Sequence, residues 1–341
     1  MRGKDIGTSM KAIRLTLLLG ALATLFFVLS LLIGPAELGI VKSIGGLFAG
    51  GDEAAMIIMR EIRLPRAILA LGVGFSLGIS GAVLQGFLRN PLAEPGIIGV
   101  SAVASLGAVL TFYTGIAGAS LFALPAGALG GALVAVLVLL AIAARHGSTL
   151  TLILAGIALT SLAGALTSLI LNLSPNPFAS YEIIFWLLGS IKDRSMEHVW
   201  LALPLMIAGW ILIAFAARAI DALSLGEEAA SSLGVSMART RLLIVAGVAL
   251  CVGAGTAVTG AIGFVGLVVP HLIRLIAGPG HRLLVPASAL GGAVLLVLAD
   301  LWARTLIAYA DLPIGMLTAL VGGPFFFWLI RRARRTAGGW A

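Results

Sequence analysis

Long uncharged apolar stretches alternate with short charged connectors along the whole chain. No charged residue separates Arg14 from Glu37 or Arg66 from Arg89, and the 50 positions between Glu94 and Arg145 are uncharged. A helix that crosses the hydrocarbon core of a bilayer needs about 20 apolar residues, and uncharged runs of 18 or more are typical of such helices. The pattern therefore predicts an all-α, polytopic membrane protein.

The uncharged stretches predict ten transmembrane helices in a single transmembrane domain, residues 1–341. The predicted spans are residues 13–34, 66–88, 95–113, 119–143, 149–172, 199–218, 240–260, 262–277, 283–306 and 314–331. The stretch 242–270 is too long for one span and too short for two, so its glycines and Pro270 predict a full helix followed by a shorter or broken one.

Composition leaves no room for an aqueous domain. Of the 341 residues, 60% are hydrophobic and 11% are charged, and the mean hydropathy is +1.13. A phosphate-binding loop, a metal cluster or a catalytic triad in water has no segment in which to form, so the chain is not expected to be an enzyme. The apolar run after Arg14 is too long for the core of a signal peptide, which favours a retained first span.

Charge predicts an orientation. The formal net charge is +8, which in a soluble protein would indicate nucleic acid as a partner, but here the basic residues stand at the ends of apolar segments. With the N-terminus in the cytoplasm, 15 of the 22 Lys and Arg residues fall on the cytoplasmic side and 7 on the outer side. This asymmetry follows the positive-inside rule, so both termini are expected in the cytoplasm.

The connector between the sixth and seventh predicted spans has the signals of a short helix. Ser224 followed by Glu227 has the spacing of a capping box, and Gly234 is placed to end the helix in the left-handed conformation. A helix at about residues 224–235 is too short to span a membrane. It is either a surface connector or a docking helix that seats in a groove of a cytoplasmic partner.

Seven stretches occur in the order and spacing of one known family. They are Arg63–Arg66, Gly81–Gly86, Asn90–Ser101, Gly226–Gly234, Gly260–Arg274, Ala299–Arg304 and Leu312–Met316. On these residues the chain resembles, over almost its whole length, a permease subunit of the iron-siderophore, haem and vitamin B12 family of type II ABC importers.

The resemblance implies partners and a cargo. It implies a homodimer of ten-helix subunits in the bacterial inner membrane, with a pathway along the two-fold axis, two cytoplasmic ATPase subunits and a periplasmic substrate-binding protein. ATP and Mg²⁺ would bind to the ATPase partner, and no cofactor is expected on this chain. The implied cargo is a ferric siderophore or haem, or else cobalamin, which moves from the periplasm to the cytoplasm.

The resemblance also implies roles for individual residues. The residues expected to couple the chain to the ATPase are Ser224, Gly226, Glu227, Glu228, Ala229, Ala230 and Gly234. The expected cytoplasmic gate consists of Asn90, Pro91 and Leu92 together with Ser148 and Thr149, although ordinary turn chemistry also accounts for both segments. Polar residues of the fifth span are expected to line the pathway: Ser161, Thr167, Ser168 and Asn172.

The resemblance implies that three arginines on the outer side, Arg63, Arg66 and Arg304, dock acidic side chains of the binding protein. Arg–carboxylate pairs are strong and geometrically selective, which suits this role. Lipid headgroup contact is the alternative for the first two, and an i, i+4 pair with Asp300 is the alternative for Arg304. For His271 and its basic neighbours, a structural role is favoured over a metal or haem site.

Two other classes of transporter compete with this interpretation. A secondary transporter driven by an ion gradient predicts acidic residues at the membrane midplane, whereas this chain offers Asp300 near an outer end. A passive channel predicts rings of charges or carbonyl groups, which the sequence does not indicate.

Overall fold

The computed structural model describes residues 2–49, 52–144, 149–174, 177–223, 226–277, 281–305 and 312–337, and the described residues contain helices but no strand. In chain order the helices are α1 Arg2–Leu32, α2 Ile40–Ile44, α3 Glu53–Ile57, α4 Leu64–Phe87, α5 Val100–Tyr113, α6 Ala123–Ala144, α7 Thr149–Leu173, α8 Pro177–Leu187, α9 Met196–Leu223, α10 Glu227–Ser232, α11 Met237–Thr259, α12 Val265–Ala277, α13 His281–Thr305 and α14 Ile314–Ala337. Short π-helical segments, Gly45–Ala49 and Ile58–Arg63, precede α3 and α4.

Each predicted span coincides with one of these helices. Among the described residues, seven helices are long and apolar enough to cross a membrane, and three apolar segments are shorter: Val100–Tyr113, Val265–Ile276 and Ile314–Leu329. The all-α, multi-pass architecture is therefore confirmed, while the number of ten complete crossings stays a prediction. Helix α8, an 11-residue apolar helix that follows α7 closely, is not among the predicted spans.

Helix α4 lies at the centre of the bundle and packs closely against α13 and α12 through glycine. A Cβ atom at Gly78 would lie 2.0 Å from the carbonyl oxygen of Ser288, and one at Gly81 would lie 1.9 Å from that of Gly266. Any side chain at these positions would push the helices apart. The close packing that recurring small residues favour in membrane helices is thus present in α4.

The chain breaks between α11 and α12, as the sequence predicts. Helix α11 ends at Thr259, and the following residues include Gly260 with φ +72° and Phe264 with φ +67°. A positive φ is unusual for a phenylalanine, and such a conformation persists only where surrounding contacts hold it. The short helix α12 then begins at Val265.

Helices α7 and α14 lie at the edge of the chain and leave large apolar side chains uncovered. Helix α7 packs mainly on α5 and on the short 3₁₀ turn Pro95–Ile98, where a Cβ atom at Gly156 would lie 2.1 Å from the carbonyl oxygen of Ile97. In the candidate span Leu150–Leu173, 17% of the window is buried, against 83% in the span that contains α4. Helix α14 likewise exposes Leu320 and Phe327.

Candidate functional site: a coupling helix, an exit loop and an arginine cluster

The predicted coupling segment forms the six-residue helix α10, with a well-defined C-terminal cap. The Gly234 N–H donates to the Ser231 carbonyl at 2.9 Å, and the Val235 N–H donates to the Ala230 carbonyl at 3.0 Å. Gly234 has φ +84°, so this end is a Schellman motif, as predicted. The predicted capping box is wrong, because the helix begins at Glu227 with Gly226 as its N-cap residue.

Helix α10 presents one face to the protein and one to its surroundings. Ala230 is fully buried and belongs to the same hydrophobic cluster as Ile220 and Leu223 of α9, against which α10 packs. On the outer face lie the exposed Glu228 and, just past the helix, Leu233, whose exposure is 67%. A short, anchored helix with an exposed apolar residue beside a carboxylate has the form of a docking element. Ser224 lies outside the described residues, and the side chain of Glu227 is not among those described.

The predicted exit loop between α4 and α5 is an ordered turn. Asn90 Oδ1 accepts a hydrogen bond from the Leu92 N–H at 2.9 Å, and the Ala93 N–H donates to the Asn90 carbonyl at 3.1 Å. Arg89 before it has φ +48°. This Asx turn is the turn chemistry that the sequence analysis kept as an alternative for the loop. The gate role of Asn90, Pro91 and Leu92 stays a prediction.

A buried glutamine ties the exit loop to α12. Gln85 Nε2 lies 3.3 Å from the carbonyl oxygen of Ala93 and 3.4 Å from those of Gly266 and Leu267. On its other side, Gln85 Oε1 accepts a hydrogen bond from Arg274 Nη2 at 3.1 Å. An amide can donate and accept at once, so this one side chain links α4, the loop and α12.

Glu94 makes a second link between the exit loop and α12. Its Oε1 accepts a hydrogen bond from the Phe264 N–H at 2.5 Å, directly before the first residue of α12. A carboxylate there satisfies one of the amides that a helix N-terminus leaves without a partner. Burial raises the pKa of Glu94 above its ordinary value, and the hydrogen bond from Phe264 acts in the opposite direction.

The structure describes the second predicted part of the gate, Ser148 and Thr149, only in part. Ser148 lies outside the described residues, and Thr149 begins α7 without a described side chain. The structure does bring α7 against the loop, because Gly156 packs on the turn Pro95–Ile98. On α7 itself, Ser161, Ser168 and Asn172 are exposed and Thr167 is half-buried. Their role as pathway lining stays a prediction.

The three outer arginines are close together, and they are held by contacts within the chain. Arg66 Nε lies 2.9 Å from Asp300 Oδ1, and Arg304 Nη2 forms an ion pair with the other oxygen of the same carboxylate. Arg304 also donates to the carbonyl and the hydroxyl of Ser30, at 3.1 and 2.5 Å. The pair between Asp300 and Arg304, predicted as an alternative, is therefore confirmed.

Arg63 donates hydrogen bonds to backbone carbonyl groups at the C-terminal end of α1. Its guanidinium donates to the carbonyl oxygens of Leu31, Leu32 and Ala36 at 2.8, 2.9 and 2.5 Å, and the residue is 3% exposed. Headgroup contact, the alternative for Arg63, is wrong because the side chain is enclosed. For the same reason the geometry of this single chain does not support direct docking on Arg63 and Arg304. Docking on this end of the chain stays a prediction.

His271 and its basic neighbours Arg274 and His281 do not form one site, because His271 and Arg274 contact different residues. The ring of His271 packs edge-on against Phe325 at 5.9 Å, whereas Arg274 binds Gln85. The side chain of His281, at the start of α13, is not described. Within the described ranges, no group of three or more His, Cys, Asp and Glu side chains is placed to hold a metal ion.

Sequence reasoning missed two residues that the geometry makes important, Gln85 and Glu94. Both stand inside the stretches that carry the family resemblance. Their signal is a polar side chain in an apolar segment, since such a group needs a hydrogen-bond partner when it is buried. The sequence alone does not identify their partners on and next to α12, which are 170 to 189 positions away.

Comparisons with known proteins agree with the architecture. Residues 22–332 match the model of the FecCD transport family. The chain is 40% identical over 329 residues to the hemin transport system permease protein HmuU of Yersinia pestis, covering 95% of this chain and 98% of that protein. It is 42% identical over 284 residues to the cobalamin import system permease protein BtuC of Halobacterium salinarum, covering 83% of this chain and 75% of that protein.

A solved structure has the same fold. It is a metal-chelate type ABC transporter in an inward-facing conformation, and it aligns with a TM-score of 0.83 at 34% sequence identity. The alignment covers 94% of this chain and 99% of that one.

Proposed function

We propose a function for this chain on the premise that it belongs to the FecCD transport family, whose model matches residues 22–332. The chain is the membrane-spanning permease subunit of an ABC importer. Two copies form a homodimer in the bacterial inner membrane, with α7 and α14 beside the two-fold axis. The uncovered apolar faces of these two helices support this arrangement.

The observation that carries the proposal is helix α10. It is anchored through Ala230, capped by a Schellman motif at Gly234 and exposed at Glu228 and Leu233. Such a helix suits a rigid contact that transmits movement, because its C-terminal end is capped and its buried side moves with α9. We place it in the cytoplasm against an ATPase subunit, which binds ATP and Mg²⁺ and carries out the hydrolysis.

The exit for the cargo lies between the α4–α5 loop of one subunit and that of the other. Gln85 and Glu94 connect this loop to α12, so movement of the bundle shifts the loop as a unit. The chain itself performs no covalent chemistry in this account. Its residues shape the pathway and pass on the conformational change.

The cargo is a large metal chelate, received from a periplasmic substrate-binding protein. Support comes from relatives whose names specify hemin and cobalamin, and from a structural neighbour described as a metal-chelate transporter. Haem, a ferric siderophore and cobalamin are all bulky metal chelates, and the mildly polar face of α7 suits a pathway wall that such a ligand slides past without being held. Selection among them rests on the binding protein.

Transport driven by an ion gradient has little support. A coupling site needs a carboxylate that can exchange a proton or cation during the cycle. Asp300 is the buried carboxylate of α13, and its oxygens are already engaged by Arg66 and Arg304. Because both of its oxygens are held by arginines, Asp300 is not available to exchange a proton or a cation.

The test is reconstitution of the chain in nanodiscs with the ATPase encoded near it and the matching binding protein. We expect ATP hydrolysis to rise when the loaded binding protein is added, and the absorption spectrum of the bound ligand to identify the chelate. If the chain copurifies with no ATPase, or if hydrolysis is independent of the binding protein, the proposal is wrong.

A further inference from the structure

A mostly apolar cavity with three polar side chains, Ser120, Arg194 and His198, lies at the end of α9 opposite to α10. It has a volume of about 180 Å³ and is lined by the α5–α6 connection, by residues that precede and begin α9, and by the last turn of α11. Because α9 has 28 residues, the cavity is about 42 Å from α10 along the helix. The cavity is therefore at the other membrane surface and is separate from the coupling helix.

Arg194 supplies the charge of this cavity. Its Nε donates to the carbonyl oxygen of Val258 at 2.5 Å, which fixes the guanidinium against the end of α11. Among the described residues, neither Nη1 nor Nη2 has a hydrogen-bond partner, and the neighbouring Asp193 acts on the charge without forming an ion pair. A half-buried guanidinium has five N–H groups to satisfy, so this side chain has donors to spare.

His198 adds a second, oriented donor. The Ser195 N–H donates to His198 Nδ1 at 3.2 Å, so Nδ1 is an acceptor and the neutral ring carries its proton on Nε2. Ser195 Oγ lies 3.0 Å from the same nitrogen. His198 and Arg194 both line the cavity, and Ser120 adds a hydroxyl group at its rim. The polar lining thus offers a cation and hydrogen-bond donors, and it contains no carboxylate.

The surroundings of the cavity identify the kind of molecule that reaches it. Trp200, one turn into α9, is 69% exposed, and Tyr113, Leu121 and Phe122 are exposed on the α5–α6 side. Exposed aromatic residues at the ends of membrane helices mark the headgroup level of the bilayer. Helix α9 exposes Ile211 and Phe215 on the same face as Trp200, which is the face directed away from His198, so acyl chains lie along the outer face of this helix.

We infer that the cavity formed around Arg194, His198 and Ser120 binds an oxyanion, the phosphate group of a phospholipid headgroup, with the acyl chains along α6 and α9. The volume equals that of about six water molecules, which is enough for a phosphodiester and its nearest ester groups. Arginine suits this ligand because its fork of N–H groups matches phosphate oxygens.

A bound phosphate would stabilise the contact between three parts of the chain. The α5–α6 connection, α9 and α11 meet at the cavity, and Arg194 already joins two of them through Val258. The lipid phosphate would neutralise the charge of Arg194 and hold the α5–α6 connection against the other two parts.

The test is native mass spectrometry of the full-length chain in detergent, with phosphatidylglycerol as the probe. Arg194→Gln removes the charge but keeps a donor for Val258, and Ser120→Leu replaces the hydroxyl group at the rim with an apolar side chain without altering Arg194. We expect each to retain about tenfold less lipid than the unmodified chain, as for the loss of a charge-assisted hydrogen bond. Arg239→Gln, an exposed arginine at the other end of the bundle, is the matched control and should retain lipid normally.

Two further probes separate the sources of the phosphate group. Diacylglycerol has the same chains without phosphate, and inorganic phosphate has the oxyanion without chains. We expect retention of phosphatidylglycerol and not of diacylglycerol. Normal lipid retention by both variants, or equal retention of diacylglycerol, would overturn the inference. Binding of inorganic phosphate with no retention of phosphatidylglycerol would overturn the assignment to a lipid.

Discussion

Arg66 on α4 and Asp300 on α13 form an ion pair of 2.9 Å, although 234 positions separate them in the sequence. Asp300 is 0% exposed, and Arg304 shares its carboxylate. Two guanidinium groups thus depend on one buried negative charge. The pair joins the N-terminal end of α4 to the C-terminal end of α13, two helices that already pack through Gly78 and Ser288.

Replacing this carboxylate should destabilise the protein. Asp300→Asn leaves Arg66 and Arg304 without a counter-charge, and breaking a buried ion pair from one side costs about 3–5 kcal/mol. We expect a clearly lower unfolding temperature in detergent. The control is Glu37→Gln, an exposed carboxylate on the connection after α1, which should not shift it. Equal unfolding temperatures for both variants would show that the pair contributes nothing to stability.

The C-terminal cap of α10 should control contact with the ATPase. Gly234 has φ +84°, a conformation that costs a β-branched residue roughly 1–3 kcal/mol, so Gly234→Val should distort the turn that presents Leu233. The variant should insert into the membrane normally but copurify less of the ATPase. Gly234→Asn is the matched control, because asparagine tolerates this conformation. The coupling role is wrong if the valine variant binds the ATPase as well as the asparagine variant does.

A charge reversal tests the exposed face of the same helix. Glu228 is exposed on α10, so Glu228→Arg should leave folding intact while it weakens binding of the ATPase. The measurement is the amount of ATPase retained on the immobilised permease at low and high salt. Because exposed ion pairs are screened by salt, the difference from the unmodified chain should shrink at high ionic strength. A difference that does not depend on salt would assign the effect to shape and not to charge.

Glu94 should make stability depend on pH. Burial raises its pKa in the folded chain, so the folded state holds this proton at pH values where the unfolded state has released it. Stability should therefore fall as the pH rises from the ordinary pKa of the side chain through the raised value. Glu94→Gln keeps an acceptor for the Phe264 N–H and should remove this part of the slope.

The comparison for Glu94 is the difference in unfolding temperature between the variant and the unmodified chain across pH. We expect the variant to be relatively more stable above the raised pKa of Glu94 than below it. Glu37→Gln serves again as the control, since that carboxylate is exposed. A difference that stays constant across the pH range would contradict a buried carboxylate at this position.

The exit loop should approach its copy across the two-fold axis. A cysteine at the half-buried Leu92, in a Cys251→Ala background, should crosslink between subunits when the exit is closed. Cys251 itself is fully buried, so it contributes little background reactivity. A cysteine at Phe215 on the membrane-facing side of α9 is the control and should not crosslink. Crosslinking that is equal with and without ATP would show that this loop is not the moving constriction.

The sequence predicts those features of this chain that depend on neighbouring residues. Uncharged stretches locate the long helices, and the glycines and Pro270 after Thr259 predict the break before α12. Gly234 predicts the left-handed end of α10 because few other residues adopt that conformation. These signals are local, since each depends on the chemistry of a few consecutive residues.

What the sequence does not provide is the partner of a buried polar group. Arg63, Arg66 and Arg304 look exposed in a charge count, whereas packing turns them towards Asp300, Ser30 and the last carbonyl groups of α1. In the same way, the Gly226 N-cap was missed because a Ser–Glu spacing also fits a helix that starts two residues earlier. Such outcomes depend on tertiary contacts, which outweigh the local preferences.

The most direct test of the central claim is uptake of the chelate into proteoliposomes. The liposomes contain the permease with its ATPase, ATP inside and the loaded binding protein outside. We predict uptake that requires ATP and the ATPase and that persists when ionophores collapse every ion gradient. Uptake driven by a proton or sodium gradient in liposomes without the ATPase would contradict the account and identify a secondary transporter.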